Sequence, residues 1–221
     1  MATAAIDAPP TFETFADVLD HLGGIPPGRV RLNPRPGTAT EADLVALQAK
    51  DDRPFELING VLVEKGMAFD SGFLPGTILM LLRAFVDPRN LGLVNGADAS
   101  LRLFPGLIRI PDVSYISWAR IPGGRMPKEP IPDLVPDRAV EVLSPSNTPR
   151  EMALKRRHYF EAGVRLVWIV DPKRRTAAVH TGPDRPARHD ASATLDGGDV
   201  LPGFTLPLAR LFANLDRRAP G

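Results

Sequence analysis

Two charged residues lie in a stretch of the chain that otherwise has the pattern of a protein core. Glu141 lies between Val140 and Val142 in the apolar run of residues 139–143, and Lys155 lies in the helical segment that follows. An unpaired buried carboxylate is costly, so Glu141 requires a cation, a metal ion or hydrogen-bond donors. A strand carboxylate that faces a lysine of the next helix is suited to metal-assisted hydrolysis. The carboxylate binds the ion, and the ammonium holds a water or stabilises charge on a phosphate.

The elements that must position these two side chains are a strand, a loop, a helix and a second strand within residues 137–172. Thr148 has the features of a helix N-cap, and Glu151 completes a capping box three residues later. We expect the helix to end at Gly163, which is a favoured residue after a helix C-terminus. The apolar run of residues 166–170 predicts the second strand. A strand–helix–strand unit of this kind indicates a mixed sheet with a crossover connection.

Two further acidic residues lie upstream in segments with strand character. Glu56 precedes Asn59-Gly60, which between apolar runs predicts a type I′ hairpin turn. Asp112 follows Pro111 where a predicted strand is interrupted. Taken alone, Glu56 could lie on the exposed side of the hairpin, and Asp112 could be an ordinary turn residue. Together with Glu141, however, they form a set of acids suited to a hard divalent ion such as magnesium.

The composition limits the classes of protein and site. The chain has no cysteine, and its four histidines show no zinc-binding spacing. The net charge of +1 gives no global basic field, so nucleic-acid binding would need a local patch. The N-terminus has no secretory signal pattern, and the apolar stretch at residues 78–86 is too short to span a bilayer. We therefore expect a cytoplasmic protein without a membrane segment.

The length of 221 residues is suited to one domain with an extension. We divide the chain into an N-terminal extension, residues 1–50, which is helical and irregular and packs on the main domain, and a main domain, residues 51–221. Within the main domain, residues 66–76 are predicted to be a glycine-rich connection. Residues 176–181 are predicted to be an edge strand, and residues 182–198 a polar loop.

Four motif positions, in their order along the chain, resemble a large bacterial family described as putative restriction endonucleases, within the PD-(D/E)xK nuclease superfamily. The resemblance covers residues 50–180, and residues 140–172 are its most specific part. The segments that carry it are FELINGVLVEK, PDVSYIS and VEVLSPSNTPREMALKRRHYFEAGVRLVWIVDP. The motif positions within them are Glu56, the Pro111-Asp112 pair, Glu141 and Lys155.

The resemblance implies an α/β (α+β) fold of restriction-endonuclease-like type, with a central mixed sheet flanked by helices. It implies that Asp112 and Glu141 hold a divalent ion, magnesium or alternatively manganese, with Glu56 as a third acid. The superfamily pattern places a lysine two residues after the second acid, where this chain has Leu143. Lys155 on the following helix takes its place, and its long flexible side chain can reach the same point.

The resulting hypothesis is a magnesium-dependent endonuclease that hydrolyses phosphodiester bonds in DNA, and a homodimer is compatible with it. One alternative is a catalytically inactive binding or structural module that keeps the fold and has its acids ion-paired. Another is a metal-dependent hydrolase of a small phosphorylated compound. Five basic residues are candidate DNA contacts, three in the long loop and two on the helix. They are Arg120, Arg125, Lys128, Arg156 and Arg157.

Overall fold

In the part of the chain that the structure describes, the strands form two main sheets and one small hairpin. The computed structural model describes residues 10–66, 69–184 and 186–216, excluding the side chains of residues 69–71. The helices in this part of the chain are α1 (Phe15–His21), α2 (Glu41–Gln48), α3 (Phe69–Val86), α4 (Pro149–Ala162) and α5 (Leu208–Ala213). The strands are β1 (Phe55–Ile58), β2 (Val61–Glu64), β3 (Gly92–Asn95), β4 (Leu101–Phe104), β5 (Leu107–Arg109), β6 (Val113–Ser117), β7 (Arg138–Val142), β8 (Leu166–Asp171), β9 (Thr176–His180), β10 (Ala187–His189), β11 (Thr194–Asp196) and β12 (Thr205–Pro207).

The larger sheet is mixed, as the sequence predicted. Its strand order is β10-β9-β8-β7-β6-β3. Only β7 and β8 run parallel, and α4 lies between them along the chain. The smaller sheet, β2-β1-β5-β4, is antiparallel throughout. All five residues of β7 are buried, as expected for a central strand that is covered on both faces.

The two faces of β7 contribute to different hydrophobic clusters. Val140 and Val142 pack in a cluster with α3, α5 and Trp168. Ala139, on the other face, packs with Tyr159 of α4 and with residues of β1 and β2. Because strand side chains alternate between faces, Glu141 lies on the same face as Ala139 and points toward α4.

The local signals around α4 are confirmed. Thr148 Oγ1 accepts a hydrogen bond from the Glu151 amide at 3.0 Å, and Glu151 Oε2 accepts one from the Thr148 amide at 3.3 Å. The helix ends at Ala162 and is followed by Gly163. The hairpin is confirmed as well: Asn59 and Gly60 both have positive φ, 48° and 79°, as a type I′ turn requires.

Residues 10–50 pack tightly on the rest of the domain. Val18 of α1 and Leu22, which follows the helix, lie in the same cluster as Tyr159. Thr148 Oγ1 donates a hydrogen bond to the Gly23 carbonyl at 2.6 Å, and Arg29 pairs with Glu151 at 2.7 Å. The N-terminal segment therefore supports the first turn of α4. The division of the chain at residue 50 stays a prediction.

Three expectations from the sequence are wrong. Helix α3 begins at Phe69, within the predicted connection, because apolar residues four apart (Leu74, Ile78) continue a buried stripe that outweighs the low helix propensity of glycine and proline. Strand β9 is internal, since β10 pairs with it. The predicted polar loop also contains β10 and β11.

In the described ranges, no helix has both the length and the apolar character needed to cross a membrane.

Candidate functional site

Lys155 and Glu141 meet in the interior, between α4 and β7. Lys155 Nζ donates a hydrogen bond to Glu141 Oε2 at 2.9 Å and lies 3.3 Å from Glu56 Oε1. No more than 5% of any of these three side chains is exposed. The helix lysine therefore faces the strand carboxylate, as the sequence predicted. Its catalytic role stays a prediction.

Asp112 joins this group from the position just before β6. Its Oδ2 atom accepts a hydrogen bond from the Val142 amide at 2.6 Å, which places Asp112 beside the end of β7 that carries Glu141. Its Oδ1 atom lies 2.6 Å from Lys65 Nζ. With 13% of its side chain exposed, Asp112 is the most accessible of the three acids.

Glu56 is buried and is not on the surface of the hairpin. Its Oε2 atom pairs with Arg109 Nη1 at 2.8 Å, and its Oε1 atom accepts from the Ile110 amide at 2.9 Å. The other end of the Arg109 guanidinium lies 2.8 Å from His158 Nδ1. Since a guanidinium only donates hydrogen bonds, His158 Nδ1 is the acceptor and the imidazole is neutral. Burial and the Arg109 charge accordingly lower the pKa of His158 to about 3.

The charges of the cluster act on one another. Burial opposes ionisation of Glu56, but the charges of Lys155 and Arg109 hold its pKa below the ordinary value. Burial likewise opposes the charge on Lys155, but Glu141 and Glu56 raise the pKa of this lysine. For Glu141, burial is the largest influence, and its pKa is raised. Lys155 is therefore held as a cation between two carboxylates.

Tyr159 completes the surroundings of Glu141. Its hydroxyl donates a hydrogen bond of 2.5 Å to Glu141 Oε1, one helical turn after Lys155. Burial, together with the charge on Glu141, raises the pKa of Tyr159 well above its ordinary value. The tyrosine therefore remains a neutral donor that fixes the orientation of the carboxylate.

The donor chemistry of the three acids fits a hard divalent ion, since Mg²⁺ prefers carboxylate oxygens. Every carboxylate oxygen of Glu56, Asp112 and Glu141 nevertheless contacts a donor or cation in the described structure. Among the described residues, no group of three or more histidine, cysteine, aspartate or glutamate side chains is arranged to hold a metal ion. In this conformation the acids are neutralised by Lys65, Lys155 and Arg109.

The predicted DNA contacts are not brought to this cluster as one group. The loop with Arg120, Arg125 and Lys128 follows the C-terminal end of β6, whereas Asp112 precedes its N-terminal end. Arg120 pairs with Asp137 at 2.9 Å and donates to the Gly163 carbonyl at 2.8 Å.

Arg125 and Lys128 line a separate cleft that is formed by their loop together with residues of α2 and β4. On α4, Arg157 is exposed, and Arg156 donates from Nε to the Pro183 carbonyl at 2.5 Å. These two arginines are thus the predicted contacts that share an element with Lys155.

Sequence reasoning did not identify four residues of the site: Lys65, Arg109, His158 and Tyr159. Lys65 directly follows β2 and Arg109 ends β5, and a basic residue at the end of a strand is no local signal of a site. Arg109 reaches Glu56 because β1 and β5 pair with Leu57 opposite Ile108. That register depends on the whole fold and is not encoded locally.

The fold and the site together define a class of protein. A mixed sheet with a carboxylate on a central strand, a second carboxylate beside it and a lysine from the crossover helix has the restriction-endonuclease-like form. Residues 42–209 match the model of the Uma2 family, which is described as putative restriction endonuclease. This match covers more than half of the chain, and the protein belongs to that family.

A solved structure supports the same fold. The crystal structure of a putative nuclease belonging to DUF820 from Anabaena variabilis ATCC 29413 matches with a TM-score of 0.67. The match covers 77% of this chain and 97% of that chain, at 20% sequence identity. At this identity the likeness concerns the fold alone. Among curated proteins, no match was found.

Proposed function

We propose that the protein is a magnesium-dependent endonuclease that hydrolyses phosphodiester bonds in DNA. The observation that carries the proposal is that Lys155 Nζ contacts Glu141 at 2.9 Å while Asp112 lies beside the end of β7 that carries Glu141. Membership of the Uma2 family supports it. Manganese is the alternative ion.

In this proposal Asp112 and Glu141 hold the ion, and Glu56 supports the site mainly through its contact with Lys155. The bound ion would neutralise phosphate charge and lower the pKa of a water. Lys155 holds its ammonium between two carboxylates, where it can orient the attacking water or stabilise charge on the phosphate. Tyr159 keeps Glu141 oriented through its hydroxyl.

The substrate contacts are part of the same proposal. Arg156 and Arg157 lie on the helix that carries Lys155, so they are the candidates for phosphates near the site. Arg125 and Lys128 would contact DNA only at a distance, beyond the other end of β6. Charge reversal at Arg157 should reduce DNA affinity and the slope of its salt dependence. A homodimer and a cytoplasmic location also belong to the proposal.

One observation favours a second candidate, an inactive module of the same fold. Each carboxylate of the cluster already has a cation within 3.3 Å, so the acids are satisfied without a metal ion. A binding or structural protein would need nothing more from these residues. The two candidates differ in whether the acids can bind an ion.

Metal binding and DNA cleavage by the same preparations separate the two candidates. Calorimetric titration with MgCl₂ and MnCl₂ would compare the wild type with Asp112→Asn and Glu141→Gln, which preserve side-chain shape. Asp20→Asn, at an exposed acid, is the matched control. We expect millimolar or tighter binding and plasmid nicking by the wild type and the control, and neither by the two site variants. Folded wild type that neither binds nor nicks at millimolar metal would establish the inactive module.

A further inference from the structure

Lys65 is a buried cation whose part in the site is not explained by the proposed reaction. It follows β2 directly, is 6% exposed, and places Nζ 2.6 Å from Asp112 Oδ1. For both Glu141 and Glu56, burial has the largest influence on the pKa and raises it, and the charge of Lys155 has the next largest and lowers it. Lys65 lowers the pKa of both acids by a smaller amount. The Lys65 ammonium therefore contacts Asp112 directly and acts on Glu141 and Glu56 through its charge.

The backbone around Lys65 is fixed against the rest of the site. The Lys65 amide donates a hydrogen bond to the Pro54 carbonyl at 2.9 Å, which continues the β1–β2 ladder. At the next residue, Gly66, an added Cβ would lie only 2.1 Å from Ser146 Oγ. The chain therefore runs against the loop after β7 at the point where the Lys65 side chain enters the acidic cluster.

The ammonium and a metal ion would compete for the same oxygen. Magnesium binds carboxylate oxygens at about 2.0–2.1 Å, so an ion on Asp112 Oδ1 would lie against an ammonium 2.6 Å from that atom. The other Asp112 oxygen already accepts from the Val142 amide. Repulsion between the Lys65 ammonium and an ion bound to the same Asp112 oxygen would be strong in a buried site.

Of the two lysines in the cluster, Lys65 is the one that is easier to displace. Lys155 makes a well-aligned hydrogen bond to Glu141 and has Glu56 as a second partner. Lys65 has the ion-pair distance to Asp112, but its geometry does not meet that of a hydrogen bond, and Nζ makes none to the described residues. An arriving ion would therefore replace Lys65 and leave Lys155 in place.

We propose that Lys65 is a built-in counter-ion of Asp112 that must leave before a divalent ion can bind, and so sets the metal affinity of the site. This inference rests on the proposed function and concerns its regulation. The charge-neutral cluster lets the domain fold without metal. The cost of displacing the lysine keeps the wild-type affinity low.

The test is calorimetric titration of the full chain with MnCl₂, for the wild type, Lys65→Met and Lys65→Gln. We expect both variants to bind manganese at least tenfold more tightly than the wild type, which corresponds to about 1.4 kcal/mol. Lys65→Arg keeps the charge and should bind like the wild type. Lys173→Met, at an exposed lysine, is the matched control and should not change the affinity.

Thermal unfolding provides a readout that does not depend on activity. Without metal, Lys65→Met should unfold at a lower temperature than the wild type, because Asp112 loses its cation, and manganese should raise its midpoint by more than that of the wild type. If Lys65→Met does not fold, Lys65→Gln carries the comparison, because glutamine is neutral but keeps a polar group beside Asp112.

The outcomes distinguish this inference from the proposed function. Equal manganese affinity of the wild type and both neutral variants, with plasmid nicking retained, would overturn the role of Lys65 alone. Binding by the neutral variants without binding by the wild type would support Lys65 as the counter-ion and overturn activity of the native chain. Absence of binding in every folded variant would overturn both.

Discussion

Replacement of Glu56 by alanine tests whether the buried charge network is as the structure shows it. Glu56 and Arg109 are each 1% exposed, and Lys155 is 4% exposed. The substitution would leave Arg109 without its carboxylate and reduce Lys155 to one partner. Removal of one partner from a buried ion pair costs about 3–5 kcal/mol, because the other charge remains buried and uncompensated. We therefore expect Glu56→Ala to lower the free energy of unfolding by about 4 kcal/mol.

Urea denaturation at pH 7, followed by tryptophan fluorescence, would measure this loss. With a denaturant slope of about 3 kcal/mol/M, the midpoint should fall by roughly 1.3 M. The matched control is Asp20→Ala, which removes a pair of similar length, 2.8 Å to Arg150, whose side chains are 71% and 66% exposed. Exposed pairs contribute about 0–1 kcal/mol, so the control should remain near the wild type.

The comparison of Glu56→Ala with its control can refute the argument directly. If Glu56→Ala loses no more stability than Asp20→Ala, Glu56 is solvated in the folded protein, and its contacts with Arg109 and Lys155 are not the ones described. A loss near that of the control would also remove the basis for placing Lys155 as a held cation. Glu56→Gln, which retains an acceptor but not the charge, should fall between the two.

Three other predictions follow from the buried polar groups. Burial and nearby arginines lower the pKa of His158 to about 3 and that of His180 to about 4, so below pH 6.5 the unfolded chain binds more protons than the folded one. The free energy of unfolding should therefore fall between pH 6.5 and pH 4, by up to about 1.4 kcal/mol per pH unit for each histidine. A flat profile in urea titrations would contradict this. Tyr159→Phe removes the donor to Glu141 and should cost about 1.5–3 kcal/mol in the same assay, whereas a loss below about 0.5 kcal/mol would mean that water replaces the hydroxyl. Arg138 is fully buried over the Trp168 ring, and its guanidinium makes no hydrogen bond to the described residues, so Arg138→Met should be neutral or stabilising by about 1–3 kcal/mol; a clear loss of stability would show that the guanidinium has a partner.

The sequence predicted the elements whose signals are local. The Thr148–Glu151 capping box and the Asn59-Gly60 turn are short-range features, and both are present. The start of α3 could not be predicted in this way, because Gly72, Pro75 and Gly76 have low helix propensity and only tertiary packing of the buried leucines outweighs it. The same limit applies to β9, whose internal position depends on pairing with a short strand of weak pattern.

The acids of the site and Lys155 were predictable from the sequence, but Lys65 and Arg109 were not. An acid such as Glu141 between valines is conspicuous because burial makes it costly. The arginine and lysine that compensate Glu56 and Asp112 come from strands distant in sequence, and their registers are fixed by pairing across the smaller sheet. Lys65 in particular belongs to a polar strand end, where a lysine is ordinary.

The balance of charge in the cluster decides between a nuclease and an inactive module. Three carboxylates face three cations, so the site needs no ion to fold, and the absence of a metal requirement for folding would not argue against metal binding. The deciding question is which carboxylate–cation pair a divalent ion can separate. Arg109 makes hydrogen bonds with Glu56 and His158, and Lys155 makes a hydrogen bond to Glu141 and an ion pair with Glu56. Lys65 has one ion-pair contact, with the most accessible acid. In our proposal, an ion that reaches Asp112 has to displace only the Lys65 ammonium. The free energy of that displacement then decides whether the site binds metal and is active or stays ion-paired and structural.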